Sequence, residues 1–512
     1  MSLLFKFRNE ILLAVALSFL YFFLRLIFLD RLPMFTDEAI YMRWAQIAVN
    51  DSSWRFISLT DGKQPMFIWV TMVFMKFITD PLLAGRLVSV FSGFFTMVGL
   101  FVLTYELFKN RTISFLSAIL YVFYPFAQVY DRMALMDGMV GTFSVWALYF
   151  SVLLVRKVRL DIAYTLAFVI GVGILTKTAN FFSIYLLPFT LILFNFKKGH
   201  FPKRLLTWGL FALFSVIVSY AIYNVLRLSP LFEMIKAKNA IFVYPISEWL
   251  THPFTFFLGN LNGLFSWLTE YLKLPYIVLI LISLILFRDH LREKILLCLY
   301  FLFPFVALAL FGRVIFPRFI YFMSLFLLPL AAWGLNHIIN EAIYFTKKKN
   351  KAQFVKFAVP FIVFVFIWYP GLVSYQFAKD PIHSQIAKAD NSQYINSWAA
   401  GWGIKESVAY FSEIAKNEKI FIATEGTFGL MPEAMEMYLV GNKNITIKGY
   451  WPVDGFPKEA LDYAGKMPSF FIFYQKEHMI IPSSFPLRLV FEVRQGNNDS
   501  YYRVYQIVPS NK

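Results

Sequence analysis

Residues 65–80, PMFIWVTMVFMKFITD, decide how this chain threads a membrane. The stretch is apolar, but it begins at Pro65, contains Lys76, and is shorter than the about 20 residues a spanning helix needs. Longer apolar runs surround it, at 11–29, 86–106, 113–129, 138–155, 161–176, 180–196, 206–226, 271–288, 294–312, 319–338 and 357–373. Basic clusters fall between them: Lys6/Arg8, Lys109/Arg111, Arg156/Lys157/Arg159, Lys197/Lys198/Lys203/Arg204, Arg288/Arg292/Lys294 and Lys347/Lys348/Lys349/Lys351. If 65–80 stays out of the bilayer, every cluster falls on the N-terminal side. If it crosses, every cluster after the first moves to the other side. Cytoplasmic loops carry the excess of Lys and Arg, so the first arrangement is preferred. The reading is a polytopic α-helical protein of the cytoplasmic (plasma) membrane with about eleven spans. Its N-terminus is cytoplasmic, its C-terminus is extracytoplasmic, and 65–80 is a juxtamembrane or re-entrant helix on the outer face.

Composition agrees. The 512 residues are 59% hydrophobic, 20% aromatic and only 15% charged, and the mean hydropathy is +0.60. Soluble domains carry about 25% charged residues, so lipid must solvate much of this chain. The net charge of +17 sits in short clusters between apolar runs, which argues against nucleic acid as a partner. A single cysteine, Cys298, excludes an intrachain disulfide and a cysteine metal site. The histidines at 200, 252, 290, 337, 383 and 478 are scattered, without a ligand-spaced pair. The run at 11–29 lacks a small-x-small cleavage site and reads as a retained first span.

This threading leaves a definite set of ionisable residues on the outer face. They are Asp37, Glu38, Lys63, Arg86, Asp131, Arg132, Asp137, Lys177, Arg313 and Arg318. Ionisable groups at membrane depth are expensive and face the bundle or a cavity. Acids and bases gathered on one face suit an anion-binding pocket with a carboxylate. Each residue also has a plainer reading. Asp37 and Glu38 suit the positive end of a helix that starts after Thr36. Arg132 and Asp137 suit a structural ion pair, and Lys177 and Arg318 suit interfacial anchoring. The aromatic loop 227–270, with EWLTHPFTFFLGNLNGLFSWL, reads as surface-lying helices, either a cap or a wall of the pocket.

Residues 1–375 form the membrane part and 376–512 hold an extracytoplasmic α/β domain. KIFIAT (419–424), SFFIFYQ (469–475), LRLVFEV (487–493) and YYRVYQI (501–507) read as strands, and 407–417 and 433–439 as helices. No phosphate-binding loop or nucleophile–histidine–acid set is visible there.

The motifs PMFTDEAIYMRWAQ, KQPMFIW, AGRLVSVFSGFFTMVGLFVLTYELF, YDRMALMDGMVGTF, GILTKTANFF and FPRFIYFMSLFLLPLAAWG, in that order, resemble the GT-C membrane glycosyltransferases. The branch is that of protein O-mannosyltransferases and the aminoarabinose (ArnT-like) transferases. The resemblance covers about residues 10–340. It implies sugar transfer from a dolichyl- or undecaprenyl-phosphate donor to a protein, lipid or glycan acceptor at the outer face, with inversion. It implies Asp37, Glu38 and Asp137 as catalytic acids, and Lys63, Arg132, Lys177 and Arg318 as partners of the donor phosphate. Lys63 stands one residue further from its proline than in several relatives.

The chemistry fits these residue types. A carboxylate can orient an acceptor hydroxyl and take its proton. Arg and Lys stabilise the charge that grows on a departing phosphate. The sequence requires no cofactor, although Asp37, Glu38 and Asp137 would suit a divalent cation. Two other readings compete: a transporter or flippase, and a non-catalytic assembly protein. A transporter would place charge near mid-membrane and show repeated halves, and neither is visible here.

Overall fold

The computed structural model describes residues 8–197, 199–286, 288–348, 355–475 and 481–508. Lys6, Lys198, Lys349, Lys351 and His478, used above, lie outside them. Among the described residues, eight helices are long and apolar enough to cross a membrane. They are Arg8–Arg31, Pro81–Phe108, Met136–Lys157, Phe201–Leu228, Phe257–Ile285, Leu291–Phe311, Arg318–Lys348 and Val355–Lys379. Three shorter apolar helices, Arg111–Val122, Leu160–Thr176 and Thr178–Leu193, occupy the other expected positions. The chain is thus a multi-pass membrane protein.

The deciding stretch forms only the nine-residue helix Met66–Phe74. At 1.5 Å per residue this is about 14 Å, against a hydrocarbon core of about 30 Å. Asp80 ends the excursion. Its side chain accepts from the Leu83 N–H at 2.9 Å, and Pro81 opens the next long helix. Ion pairs define the two ends of the bundle. At one end Arg111 meets Glu10, and Arg156 meets Glu106 and Glu293. Asp37, Lys63, Asp137, Lys177 and Arg318, expected on the outer face, gather at the other end.

Between these ends the packing holds a buried polar knot. Arg25 Nε donates to Asp131 Oδ2 at 3.0 Å, and Tyr21, Tyr121 and Tyr321 donate to the same carboxylate. Gly93 makes room for it, since a Cβ there would lie 2.3 Å from both Asp131 Cγ and the Tyr21 hydroxyl. The segment expected to lie on the surface continues into the next span. Its last part belongs to one helix, Phe257–Ile285, broken at Lys273 and carrying Pro275, because proline removes a helical hydrogen bond.

The last long helix runs to Lys379, past the expected domain boundary at 375/376. The segment after it folds back on the membrane part. Strand β1 (Met34–Phe35) pairs antiparallel with β2 (Ala400–Gly401), and the Thr36 N–H donates to the Ala399 carbonyl. Beyond lie β3 (Ile420–Glu425), β4 (Ile445–Tyr450), β5 (Ser469–Phe473), β6 (Leu487–Arg494) and β7 (Tyr501–Ile507). They form one sheet in the order β4-β3-β5-β7-β6. The parallel β4-β3-β5 portion needs crossovers, supplied by helices Glu433–Leu439 and Lys458–Ala464. This domain rests on helix Thr36–Asn50. Arg43 pairs with Glu436 at 2.8 Å, Gln46 donates to the Met437 carbonyl, and the Trp44 ring lies against Phe428.

Candidate active site

Helix Thr36–Asn50 places two adjacent acids on two different jobs. Glu38 turns back to cap the helix, accepting from the Phe35 N–H at 2.9 Å. It also accepts from Arg86 through both oxygens and from the Ala134 N–H at 2.7 Å. Glu38 is wholly buried, its oxygens clamped between Arg86 and two backbone N–H groups. Asp37, one residue earlier, points the other way. Lys63 Nζ lies 3.0 Å from its Oδ1, and Arg318 Nη1 lies 2.7 Å from its Oδ2. The two acids therefore sit in different surroundings: Glu38 caps the helix and Asp37 faces two cations.

Lys63 is held by the short helical turn Ile57–Asp61, whose Asp61 forms an ion pair with it at 3.3 Å and accepts from Lys238 at 2.6 Å. Its ammonium also lies 4.8 Å from the centre of the Tyr41 ring. Arg318 begins its helix directly after Pro317. Asp137, in the first turn of Met136–Lys157, receives Lys177 Nζ at 2.7 Å. Lys177 stands at the C-terminal cap of Leu160–Thr176, with its ammonium over the Phe319 ring. Asp37, Lys63, Asp137, Lys177 and Arg318 thus form one cluster, within which Asp137 and Arg318 feel each other's charge.

Arg132 is not in it. Its guanidinium donates to the carbonyls of Leu24, Arg25, Ile27 and Phe28. It closes the end of the first membrane helix, where carbonyls have no helical partner. Neither does Arg132 pair with Asp137. Arg313 also stays outside, 3.7 Å from Glu248.

Three cations against two carboxylates leave one positive charge uncompensated, and adding Asp61 and Lys238 does not change that balance. The walls are low in polarity: Tyr41, Trp44, Phe316 and Phe319 flank the cationic groups. Helix Met234–Phe242, from the aromatic loop, closes one side through Lys238 and through Phe242 against Phe319. Burial acts to raise the Asp37 carboxyl, but Lys63 and Arg318 together hold it well below the usual carboxylate range. Lys63 is correspondingly raised by Asp37 against the effect of its burial. Among the described residues no group of three or more His, Cys, Asp or Glu is arranged to hold a metal ion. Both Asp37 oxygens already face cations, so the donor set fits an anion better than a divalent metal.

Sequence reading passed over several residues. Asp61 and Lys238 offered no pattern. Asp390 and Tyr394, in helix Lys388–Tyr394 after the last span, also lie within electrostatic reach of Arg318 and Asp137. Nothing in KADNSQY marks them.

The helical membrane bundle and the sheet domain that follows it have an ArnT-like GT-C fold. The dolichyl-phosphate-mannose-protein mannosyltransferase family profile matches residues 62–229. The apo structure of ArnT from Cupriavidus metallidurans is similar over 98% of both chains, at 14% identity and a TM-score of 0.61. The same protein bound to undecaprenyl phosphate gives 14% identity and 0.58 over 98% of this chain and 99% of that one. The Archaeoglobus fulgidus oligosaccharyltransferase AglB, in complex with an inhibitory peptide and a dolichol-phosphate, is 11% identical with a TM-score of 0.52. That likeness covers 86% of this chain and 64% of AglB. No curated protein sequence matches the chain.

Proposed function

We propose that this protein is a glycosyltransferase. It moves a sugar from a polyprenyl-phosphate donor, undecaprenyl- or dolichyl-linked, to an acceptor at the outer membrane face, with inversion. The observation that carries this reading is the cradle of Asp37 between Lys63 and Arg318, inside a cluster with surplus positive charge. The mannosyltransferase profile over 62–229 and the lipid phosphates in the ArnT and AglB structures support it.

The geometry suggests how the residues share the work. In the free protein Asp37 is a weak base, because two cations stabilise its charge. A donor phosphate entering the cluster competes for Lys63 and Arg318. As their charge is drawn to phosphate, Asp37 becomes a better acceptor for a proton. The base is thus released when the leaving group is seated. Asp37 orients the acceptor oxygen and takes its proton as that oxygen attacks the anomeric carbon. The bond from that carbon to the phosphate oxygen breaks, and Arg318 and Lys63 stabilise the charge left on the phosphate. Lys177, paired with Asp137, adds a third cation beside them. The N-terminus lies on the cytoplasmic side and the α/β domain outside.

The test is transfer from radiolabelled polyprenyl-phosphate sugars in proteoliposomes, with wild type beside Asp37→Asn. Labelled product from wild type alone, with undecaprenyl phosphate bound at least as tightly by Asp37→Asn, is the expected outcome. Equal product from both removes Asp37 from this role. No product from either over a broad donor and acceptor panel overturns the enzyme reading.

A further inference from the structure

The stretch that decides the threading carries a cation, Lys76, that the Asp37 cluster does not use. Lys76 stands just beyond helix Met66–Phe74, and Arg55 stands just beyond the short turn Ser52–Trp54. Both line one open groove of about 520 Å³, whose other walls are Val49, Trp69, Met72 and Val73. The walls are tied together. The Trp69 indole N–H donates to the Arg55 carbonyl at 2.7 Å, the Trp69 ring packs edge-on against Phe56, and Arg55 Nη1 lies 3.9 Å from Met72 Sδ. Val49 is the last residue but one of the helix that Asp37 begins. Twelve residues at 1.5 Å put it about 18 Å from Asp37 along the axis, so the groove is separate from the cluster.

Its charge is unanswered. Among the described residues Arg55 and Lys76 pair with no acid, because the acids of this segment are engaged elsewhere. Asp51 accepts from Ser53, Asp61 is shared by Lys63 and Lys238, and Asp80 caps the next long helix. Its apolar surface is uncovered. Val73 is 52% exposed, and Trp54 and Phe77, the sequence neighbours of Arg55 and Lys76, are exposed as well. In a multi-pass membrane protein, aromatic and basic side chains side by side belong at the level where headgroups meet hydrocarbon. The groove falls in the size range of small-molecule sites, about 300–1,000 Å³. Its apolar floor suits an acyl chain, and its two cations suit a phosphate. A zwitterionic headgroup would bring its own cation against Arg55 and Lys76, so the charge selects a net anionic lipid.

We propose that this groove binds an anionic phospholipid, with an acyl chain along Val49, Trp69, Met72 and Val73 and the headgroup phosphate on Arg55 and Lys76. The site does not depend on what the Asp37 cluster binds. Its two walls bracket Lys63 in sequence, so the bound lipid packs against the segment that carries one of the cluster's cations.

The test is photolabelling of the full-length protein in detergent micelles by phosphatidylglycerol with a photoactivatable acyl chain, mapped by mass spectrometry. Label is expected on Val49, Met72 or Val73. Unlabelled phosphatidylglycerol should compete for it, and phosphatidylcholine with the same chains should not. Arg55→Gln with Lys76→Gln should weaken labelling about ten- to thirtyfold, as expected for two basic side chains at an anionic lipid surface. Val73→Trp fills the groove from an exposed position and should abolish the label with both cations in place. Absence of label from 49–76 in the wild type overturns the proposal. Labelling that ignores the charge variant, or that phosphatidylcholine competes equally, reduces the groove to ordinary solvation by lipid tails and overturns it too. Undecaprenyl phosphate competing better than phosphatidylglycerol would overturn the phospholipid as occupant. If the charge variant does not fold, Val73→Trp and the two competitors carry the test.

Discussion

The Asp37 cluster and the Glu38–Arg86 clamp start at neighbouring residues and follow opposite rules. In the clamp every valence is spent. Glu38 accepts four hydrogen bonds, and Arg86 adds bonds to the carbonyls of Leu29, Leu32 and Pro33. Charge balances, and neither side chain is more than 2% exposed. In the cluster the cations outnumber the carboxylates, the Asp37 side chain keeps 14% exposure, and Arg318 Nε has no acceptor among the described residues. A closed pair holds chain segments together. An open electropositive one has capacity left for an anion. The Arg25–Asp131 knot sorts with the clamp: its carboxylate is surrounded by hydroxyl and guanidinium donors, and both groups are fully buried.

The sharpest way to break this contrast is Asp37→Asn. It should lower the rate of sugar transfer by about 10²- to 10⁴-fold, the range for a positioned acid–base group, while the protein still folds. Arg318→Ala should follow with a loss of about 10²- to 10³-fold, as for a donor that stabilises developing charge. It should also weaken undecaprenyl phosphate binding. Both are read from initial rates in proteoliposomes. A full rate from either variant would make the cluster a second structural clamp.

Glu38→Ala should do the reverse. It leaves Arg86 buried and uncompensated, which costs about 3–5 kcal/mol when a buried pair is broken. The expected result is a lower unfolding midpoint and less folded protein in detergent, with the folded fraction keeping its turnover within about threefold, the ordinary context dependence of such effects. An intact fold with turnover lost would return Glu38 to the chemistry.

These contrasts also show what the sequence could reveal. The spans were legible because lipid imposes a long apolar run, and the basic clusters gave the expected threading. Asp37, Lys63, Asp137, Lys177 and Arg318 were legible because charge left at one end of a bundle must find company there. The sequence could not say which company. Asp37 and Glu38 look alike in a first helical turn, and only the direction of each side chain separates cap from cradle. Arg132 looks like a phosphate ligand until helix Arg8–Leu26 ends beneath it. Asp390 lies about 350 residues from Asp37 in a polar segment, and its surroundings come only from Tyr130 and Tyr271, which two other segments bring to it. In the sheet, β4 escaped notice because its residues are half-exposed, while the fully buried β3 and β5 stood out.

Asp37 and Asp390 finally set up a contrast in sign. Asp37 is held ionised by Lys63 and Arg318, so its share of stability is full above about pH 4 and fades only as pH falls towards its depressed value. Asp390 is pushed up to about 7 by burial, against the lowering effects of Tyr271, Tyr130 and Arg318. Its native form therefore keeps a proton that the unfolded chain releases near pH 4. That contribution is full below about pH 4, shrinks through the acid range and is gone once pH passes 7. Raising pH from 5 to 8 should lower the unfolding midpoint of the wild type by about 2 °C more than that of Asp390→Asn. Asp37→Asn should leave the wild-type slope in place over the same range. A slope that Asp390→Asn leaves untouched would mean that Asp390 is already ionised at pH 5, and that Tyr130, Tyr271 and Arg318 outweigh its burial.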